Sequence, residues 1–272
     1  MHEIRFVWPE AKAGALTTSW DDGTSADRRL VALCNQHGIK GTWNLNSGKF
    51  GLLAAQTGWK DYVAAAEVAT LYAGHEVACH SVTHPNLERL PEAAVAAEIL
   101  ADRRALEALV GYPVKGMSLP FGSFDRRVLQ VLRSCGIVYV RPVIHTPDFC
   151  VPGDFMQWSA TCHHKANLAE LWEQFRRANS PDKLFYLWGH SYEFDNDRNW
   201  DHIERFAALA GAASDIWFAT NMQVYEYVAA WRALHCALDL TSFKNASGVT
   251  LWIRVNGNVH QLAPGAVLNV AR

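Results

Sequence analysis

Short apolar runs alternate with segments of helical periodicity along most of the chain. We predict strands over residues 15–19, 39–45, 75–79, 114–119, 137–140, 184–188 and 216–219, and a further short strand near Trp158. Helices are predicted between them, over residues 25–37, 62–73, 91–110, 124–135, 168–177, 205–213 and 224–234, and several end at a glycine. Strands and helices that alternate in this way indicate a parallel sheet of the α/β class.

The pattern changes after about residue 235. Apolar residues at 251, 253 and 255 alternate with Trp252, Arg254 and Asn256, and the Asn-Gly pair at 256–257 is typical of a tight turn between two strands. We therefore predict an α/β domain over residues 1–235 and a small β-rich extension over residues 236–272.

Four polar motifs follow the carboxyl ends of predicted strands. They are Ser19-Trp20-Asp21-Asp22-Gly23, His80-Ser81-Val82-Thr83-His84, Ser118-Leu119-Pro120-Phe121-Gly122 and Trp188-Gly189-His190-Ser191. A closed barrel brings all these strand ends to one face, whereas an open doubly wound sheet uses only the crevice at its switch point. Motifs after four separate strands therefore favour the barrel.

The first two motifs offer the ligands that a hydrolytic metal site needs. Adjacent carboxylates in a loop can point in different directions, so one can bind a metal ion while its neighbour accepts a proton. Together with His80 and His84, one carboxylate suits Zn²⁺ or another divalent first-row metal and leaves coordination positions open. Asp-Asp-Gly is also a good turn sequence, and two histidines can be surface or capping residues. The motifs therefore support a metal site only in combination.

Other candidates for chemistry lie further along the chain. His190 follows an apolar strand and a glycine, and it is either a proton donor to a leaving group or a histidine satisfied inside the core. His163 and His164 lie in a polar stretch and are expected to support the site or a substrate loop. Four aromatic residues are candidates for a groove that binds sugar rings: Trp43, Trp158, Trp188 and Tyr192.

Composition narrows the range of partners. The formal net charge is −2 and no run of Lys and Arg occurs, so we do not expect a nucleic-acid partner. No uncharged apolar run approaches about 20 residues, so we do not expect a membrane span. The first five residues lack the features of a secretory signal, and the six cysteines form no C-x-x-C motif. We therefore expect a cytoplasmic protein with reduced thiols.

The motifs resemble those of the polysaccharide deacetylases that share the NodB homology domain, carbohydrate esterase family 4. That family has a Thr-Phe-Asp-Asp-Gly motif, a His-Ser/Thr-x-x-His motif, an Arg-x-Pro-Tyr/Phe-Gly motif, and a histidine after an apolar strand. Counterparts of all four occur in the family's order over residues 15–191. The resemblance covers most of the chain up to about residue 235 and does not include the tail.

The resemblance implies a distorted (β/α)₇ barrel that removes N- or O-linked acetyl groups from a carbohydrate. It makes Asp21 the general base and His190 the general acid. It makes Asp22, His80 and His84 the ligands of a divalent metal, with zinc as the first choice and cobalt, nickel or manganese as alternatives. The metal would polarise the acetyl carbonyl, activate the water and stabilise the oxyanion.

One departure from the family affects the base. Ser118 stands where the third motif has an arginine that orients the base in many members, and Arg141, after the next predicted strand, is our candidate replacement. The residues expected near the substrate or the oxyanion are Pro120, Phe121, Trp158, Trp188 and Arg141. Two alternatives stay open: hydrolysis of a non-sugar amide on the same scaffold, and a catalytically degenerate carbohydrate-binding protein.

Overall fold

The predicted strands form one curved sheet whose neighbouring strands are parallel. The computed structural model describes residues 3–270. The strands are β1 Ile4–Val7, β2 Gly14–Asp22, β3 Gly41–Leu45, β4 Glu76–Cys79, β5 Gly116–Ser118, β6 Tyr139–Arg141, β7 Cys162–His163, β8 Leu184–Gly189, β9 Ile216–Phe218, β10 His235–Cys236, β11 Ser242–Lys244, β12 Leu251–Val255, β13 Asn258–Leu262 and β14 Val267–Asn269.

The sheet places β2 at its centre. Its strands lie in the order β6-β5-β4-β3-β2-β8-β7, and β9 pairs with the first residues of β2. Every residue of β2 and of β8 is buried, as expected for parallel strands covered on both faces. The sheet curls into the distorted (β/α)₇ barrel that the sequence predicted.

The gap between the end strands β6 and β7 is spanned by an irregular segment. Trp158 N donates to Val140 O on β6 at 2.9 Å, and Thr161 N donates to Tyr186 O on β8 at 2.8 Å. The short strand expected near Trp158 lies slightly later, at β7, because the residues before Trp158 form a turn of 3₁₀ helix, Phe155–Gln157.

Helices connect the strands and cover the sheet. They are α1 Asp27–Gln36, α2 Ala54–Thr57, α3 Val68–Leu71, α4 Glu92–Val110, α5 Arg126–Ser134, α6 Leu168–Arg177, α7 Ser191–Asp197, α8 Trp200–Gly211 and α9 Asn221–Arg232. The longest, α4, follows Pro91 and ends at Gly111, whose φ of +76° suits a residue without a side chain. The apolar periodicity predicted this helix to within a residue at each end.

The helix predicted over residues 62–73 was wrong for most of its length. Only a 3₁₀ turn, Ala65–Glu67, and the four residues of α3 are helical. Backbone hydrogen bonds to distant loops hold the start of the segment extended, since Tyr62 N donates to Leu52 O at 2.9 Å and Val63 N donates to Gly23 O at 3.0 Å. These tertiary contacts outweigh the local helical pattern.

The tail forms two small antiparallel sheets. Strands β12 and β13 make the predicted hairpin around Asn256 and Gly257, and β12 also pairs with the amino-terminal strand β1. Strands β10, β11 and β14 form the second sheet. The Tyr227 hydroxyl of α9 donates to Val7 O at 2.5 Å and accepts from Trp252 N at 3.1 Å, so one side chain links the helix to both β1 and β12.

Within residues 3–270, no helix combines the length and the apolar character that crossing a bilayer requires.

Tight packing between β5 and β6 gives a first prediction. A Cβ on Gly116 would lie 2.0 Å from the ring of Tyr139, its partner in the strand pairing. We expect Gly116→Ala to lower the free energy of unfolding by about 2 kcal/mol, because the buried tyrosine must shift. Chemical denaturation measures the change, and Gly153→Ala is the control because no heavy atom lies within 4 Å of its added Cβ. Equal midpoints for the two variants would contradict this description of the packing.

Candidate active site and metal centre

The carboxyl ends of the parallel strands bring the predicted site residues together. Asp21 and Asp22 end β2, His80 directly follows β4, and His190 directly follows β8. A cavity of about 410 Å³ opens at this face. Its lining residues are Asp21, Asp22, Lys49, Trp59, His80, His84, Leu119, Phe121, Val143, Trp188, His190 and Tyr192.

Asp22, His80 and His84 place three potential ligand atoms close together. Asp22 Oδ1 lies 3.7 Å from His80 Nε2 and 3.7 Å from His84 Nε2. All three atoms lie within 4.8 Å of one another. Ligand atoms about 2.1 Å from a tetrahedral zinc ion are roughly 3.4 Å apart, so a small inward movement would let these residues hold such an ion. The chemistry and spacing of the set fit a divalent metal.

Burial keeps both imidazoles neutral, as metal ligands must be. It lowers the pKa of His80 to about 4 and the pKa of His84 to about 4. His80 Nδ1 donates to Ser118 O at 2.9 Å, so the proton lies on that nitrogen and Nε2 presents its lone pair to the site. Asp102, on α4, accepts from His80 N at 3.1 Å and fixes the backbone of the ligand.

Asp21 is held in a different way from its neighbour. Asn44 Nδ2 and Ser118 Oγ each donate to Asp21 Oδ1 at 2.9 Å, and Arg141 Nη2 donates to Oδ2. Burial alone would raise the pKa of Asp21, but the charge and hydrogen bond of Arg141, with nearby His80 and His190, hold it well below its ordinary value. Asp21 is therefore an ionised carboxylate fixed by three protein donors.

Several site residues adopt a backbone conformation that L-residues avoid. Asp22 has a φ of +79°, His84 of +62° and Phe121 of +59°. Such conformations each cost on the order of 1–3 kcal/mol and persist only where the surrounding structure enforces them. At Asp22 the left-handed turn follows directly after the strand conformation of Asp21, so the two carboxylates point to different partners.

His190 is oriented by a residue on its own helix. Its Nδ1 lies 3.0 Å from Glu193 Oε2, and its Nε2 lies 3.9 Å from Asp22 Oδ2. Burial by itself would lower the pKa of His190, but the hydrogen bond to Glu193 and the charges of Asp21 and Asp22 raise it above its ordinary value. The proton that His190 can transfer is therefore on Nε2, the nitrogen nearer the metal ligands.

Glu193 is shared by several cationic or polar donors. His163 Nε2 and His164 Nε2 lie 3.1 and 2.8 Å from its Oε2, and Lys165 Nζ lies 3.0 Å from its Oε1. His163, His164 and Glu193 could form a second set of ligands. The ammonium of Lys165 on the same carboxylate disfavours a cation there, so the two histidines contact the site through Glu193, the hydrogen-bond partner of His190.

The residues expected near the substrate occupy three different environments. Phe121 is 65% exposed at the cavity rim, and Trp188 lies in the cavity wall with the Arg141 guanidinium 4.3 Å above its ring. Arg141 is fully buried, so it contacts Asp21 rather than solvent. Pro120 is buried beneath the rim.

Trp158 corrects the prediction of a long aromatic groove. It is 1% exposed and packs edge-to-face against Tyr139 and Phe155 in the core, away from the cavity. Trp43 is also fully buried, whereas Tyr192 lines the cavity as expected. Large aromatic residues are core residues more often than ligand contacts, and in this chain two of the four candidates follow that rule.

The structure adds residues that motif matching did not find. Asn44 is a buried polar residue in an apolar strand, and Glu193 lies one helical turn after His190. Asp102 falls on the buried stripe of α4 that also contains Val95, Ile99 and Leu106. A polar residue at an apolar position was a signal for Asn44 and Asp102, and the i,i+3 spacing was a signal for Glu193.

Comparison with known proteins supports the resemblance to the polysaccharide deacetylases. The family model for polysaccharide deacetylase matches residues 9–140. The chitooligosaccharide deacetylase of Bradyrhizobium sp. (strain ANU 289) is 33% identical over 81 residues, which are 29% of this chain and 37% of that protein. The chain thus aligns with little more than a third of this curated relative's length.

Solved structures share the fold at low sequence identity. A Mycobacterium smegmatis protein assigned as a polysaccharide deacetylase superposes with a TM-score of 0.59 at 17% identity, over 85% of this chain and 96% of that one. The Xyl-CE4 domain of a multidomain xylanase from the hindgut metagenome of Trinervitermes trinervoides has a TM-score of 0.52 at 16% identity, over 80% and 91% of the two chains.

The sequence match includes the Asp21-Asp22 and His80–His84 motifs, and the structural matches extend the common fold well beyond it. The resemblance inferred from the four motifs is confirmed over part of the chain: residues 9–140 match the family model for polysaccharide deacetylase.

Proposed function

We propose that this protein removes acetyl groups from a carbohydrate with a divalent metal ion, zinc as the first choice, held by Asp22, His80 and His84. The observation that supports this most strongly is that the two adjacent carboxylates have different partners. Asp22 faces two neutral imidazoles, while Asp21 is bound by Arg141, Ser118 and Asn44. A metal ligand beside an independent ionised base is what hydrolysis with an activated water requires.

In the proposed reaction Asp21 is the general base. It accepts a proton from the attacking water while the water oxygen bonds to the acetyl carbonyl carbon. The pairing with Arg141 keeps Asp21 ionised but makes it a weak base, because the same charge that lowers its pKa stabilises the anion. The bound metal would lower the pKa of the water and polarise the carbonyl, which lets a weak base suffice.

His190 is the proposed general acid. When the bond between the acetyl carbon and the sugar nitrogen or oxygen breaks, His190 Nε2 delivers a proton to the departing atom, and acetate is the other product. Glu193 supports this role because it fixes the ring through Nδ1 and favours the protonated imidazolium. In each turnover Asp21 thus accepts one proton and His190 donates one, while a water is consumed and acetate is released.

The aromatic residues at the cavity rim support a sugar as the molecule that carries the acetyl group. Trp59 is 42% exposed, and its ring packs 4.7 Å from Tyr192, while Phe121 packs 4.6 Å from the ring of His84. Apolar ring faces next to a few polar groups suit the C–H faces of a pyranose. A non-sugar amide would use the same base, acid and ligands, and substrate profiling separates the two. The ionised base and the neutral ligands argue against a purely binding role.

Removal of a ligand and removal of the base have different expected effects. Asp22→Ala and His80→Ala should lose the bound metal, because each leaves only two ligands. Asp21→Asn should keep the metal and lower kcat at least about a hundredfold, since the amide cannot accept the proton. Elemental analysis and acetate release measure the two effects. A metal-free wild type that stays fully active in chelator would contradict the proposal.

The pairing of His190 with Glu193 predicts a shift in the pH profile. The acid must be protonated, so activity falls as the pH rises through the His190 pKa. Glu193→Gln removes the charge that raises this pKa, and we expect the alkaline limb of kcat/KM to move to lower pH.

The control for this profile is Glu204→Gln, which makes the same charge change on an exposed carboxylate paired with Arg29. Its alkaline limb should match that of the wild type. An unshifted limb in Glu193→Gln would show that Glu193 does not set the His190 pKa.

A further inference from the structure

Lys49 is a cavity residue that the proposed reaction does not use. It lies in a 3₁₀ turn, Ser47–Lys49, in the loop after β3. The turn is anchored because Ser47 N donates to Asp102 Oδ1 at 2.9 Å and Lys49 N donates to Asn46 O at 3.0 Å. The base of the side chain is therefore fixed at the cavity wall, in the same cavity as Asp22 and His84.

The Lys49 ammonium has no carboxylate of its own. Its nitrogen lies 5.5 Å from the centroid of the Tyr62 ring, and across residues 3–270 no acidic side chain comes within 4.0 Å of it. Lys165, near the same face, contrasts with this because Glu193 and Asp197 lie 3.0 and 2.9 Å from its ammonium. Burial lowers the pKa of Lys49, opposed only by the charge of Asp22. A half-buried cation without an acidic partner is destabilising unless something else provides the counter-charge, since the Tyr62 ring carries no net charge.

The other charges around the cavity are already paired. Arg141 neutralises Asp21, and Lys165 together with the histidines stabilises Glu193. Asp22 is the remaining anion, and in the proposed enzyme its negative charge would balance part of the charge of the metal. With a divalent metal bound, Lys49 and the metal would together give this cavity an excess of positive charge, which would attract an anion.

We propose that Lys49 is a specificity-determining residue that binds an anionic substituent, a phosphate or a carboxylate, on the acetylated sugar. This inference rests on the proposed function and names the class of its substrate. The cavity of about 410 Å³ has room for a monosaccharide unit with one such group. The lysine ammonium meets the anion as a point charge, so phosphate and carboxylate share the chemistry that it recognises.

A different role for Lys49 would have different kinetics. If the ammonium contacted the acetyl oxyanion or the departing acetate, its removal would slow neutral and charged substrates equally. If it binds a substituent, its removal affects only the substrates that carry one, and the effect appears in KM rather than in kcat.

The test compares three N-acetylated sugars on the metal-loaded protein. They are N-acetylglucosamine, its 6-phosphate, and N-acetylmuramic acid, which are neutral, phosphate-bearing and carboxylate-bearing. We expect the wild type to prefer at least one of the anionic sugars about tenfold in kcat/KM. Lys49→Met should remove that preference through KM and leave the neutral sugar within about twofold of the wild type, while Lys49→Arg retains it.

The matched control is Lys115→Met, which removes the same charge from an exposed residue just before β5, at the opposite end of the parallel strands. It should keep the preference. The two anionic sugars identify which substituent is recognised. A wild type without preference, or a Lys49→Met variant that loses the neutral and anionic sugars alike, would overturn the assignment.

Binding measurements separate this inference from the proposed function. If no sugar releases acetate, the proposed deacetylation fails, and calorimetric titration of the same three sugars still tests Lys49. Binding of an anionic sugar that weakens about tenfold in Lys49→Met, with neutral-sugar binding unchanged, supports the inference. Binding that does not depend on Lys49 contradicts it, whatever the outcome of the activity assay.

Discussion

Burying the Asp21 carboxylate at the end of β2 requires donors on every side, and the neighbouring strands provide them. Asn44 comes from β3, Ser118 from β5 and Arg141 from β6, so one anion ties together four strands of the sheet. An ionised carboxylate in a low-dielectric site is tolerated only when it is paired and hydrogen-bonded in this way. Because these donors occupy Asp21, Asp22 is the carboxylate of the pair that remains for a metal.

The same arrangement explains how Asp21 is paired with a guanidinium although this chain lacks the arginine of the family's third motif. Ser118 is too short to replace a guanidinium, but its hydroxyl bridges Asp21 and the ring of the ligand His80. Arg141 reaches Asp21 from the next strand and is held over Trp188. The charge that lowers the pKa of the proposed base is thus retained at a different position of the sheet, and Asp21 and His80 share one hydrogen-bonded network through Ser118.

The sequence predicted the parts of this molecule that depend on local pattern. Apolar periodicity located most strands and the helix α4, and motif spacing identified Asp21, Asp22, His80 and His84 as neighbours in space. It could not predict the extended conformation around Val63, the pairing of β1 with β12 or the burial of Trp158, because contacts between distant segments decide these features. Lys49 also has no motif, and what distinguishes it is that no acidic side chain of residues 3–270 lies within 4.0 Å of its ammonium.

The most direct test of the different roles of Asp21 and Asp22 is anomalous diffraction at the zinc edge from crystals grown with zinc. We expect one strong peak bound by Asp22, His80 and His84, at about 2.0–2.2 Å from each ligand atom. Asp21 should remain outside the coordination sphere and in contact with Arg141. A peak bound by Asp21, or one at Glu193 with none at Asp22, would contradict the account.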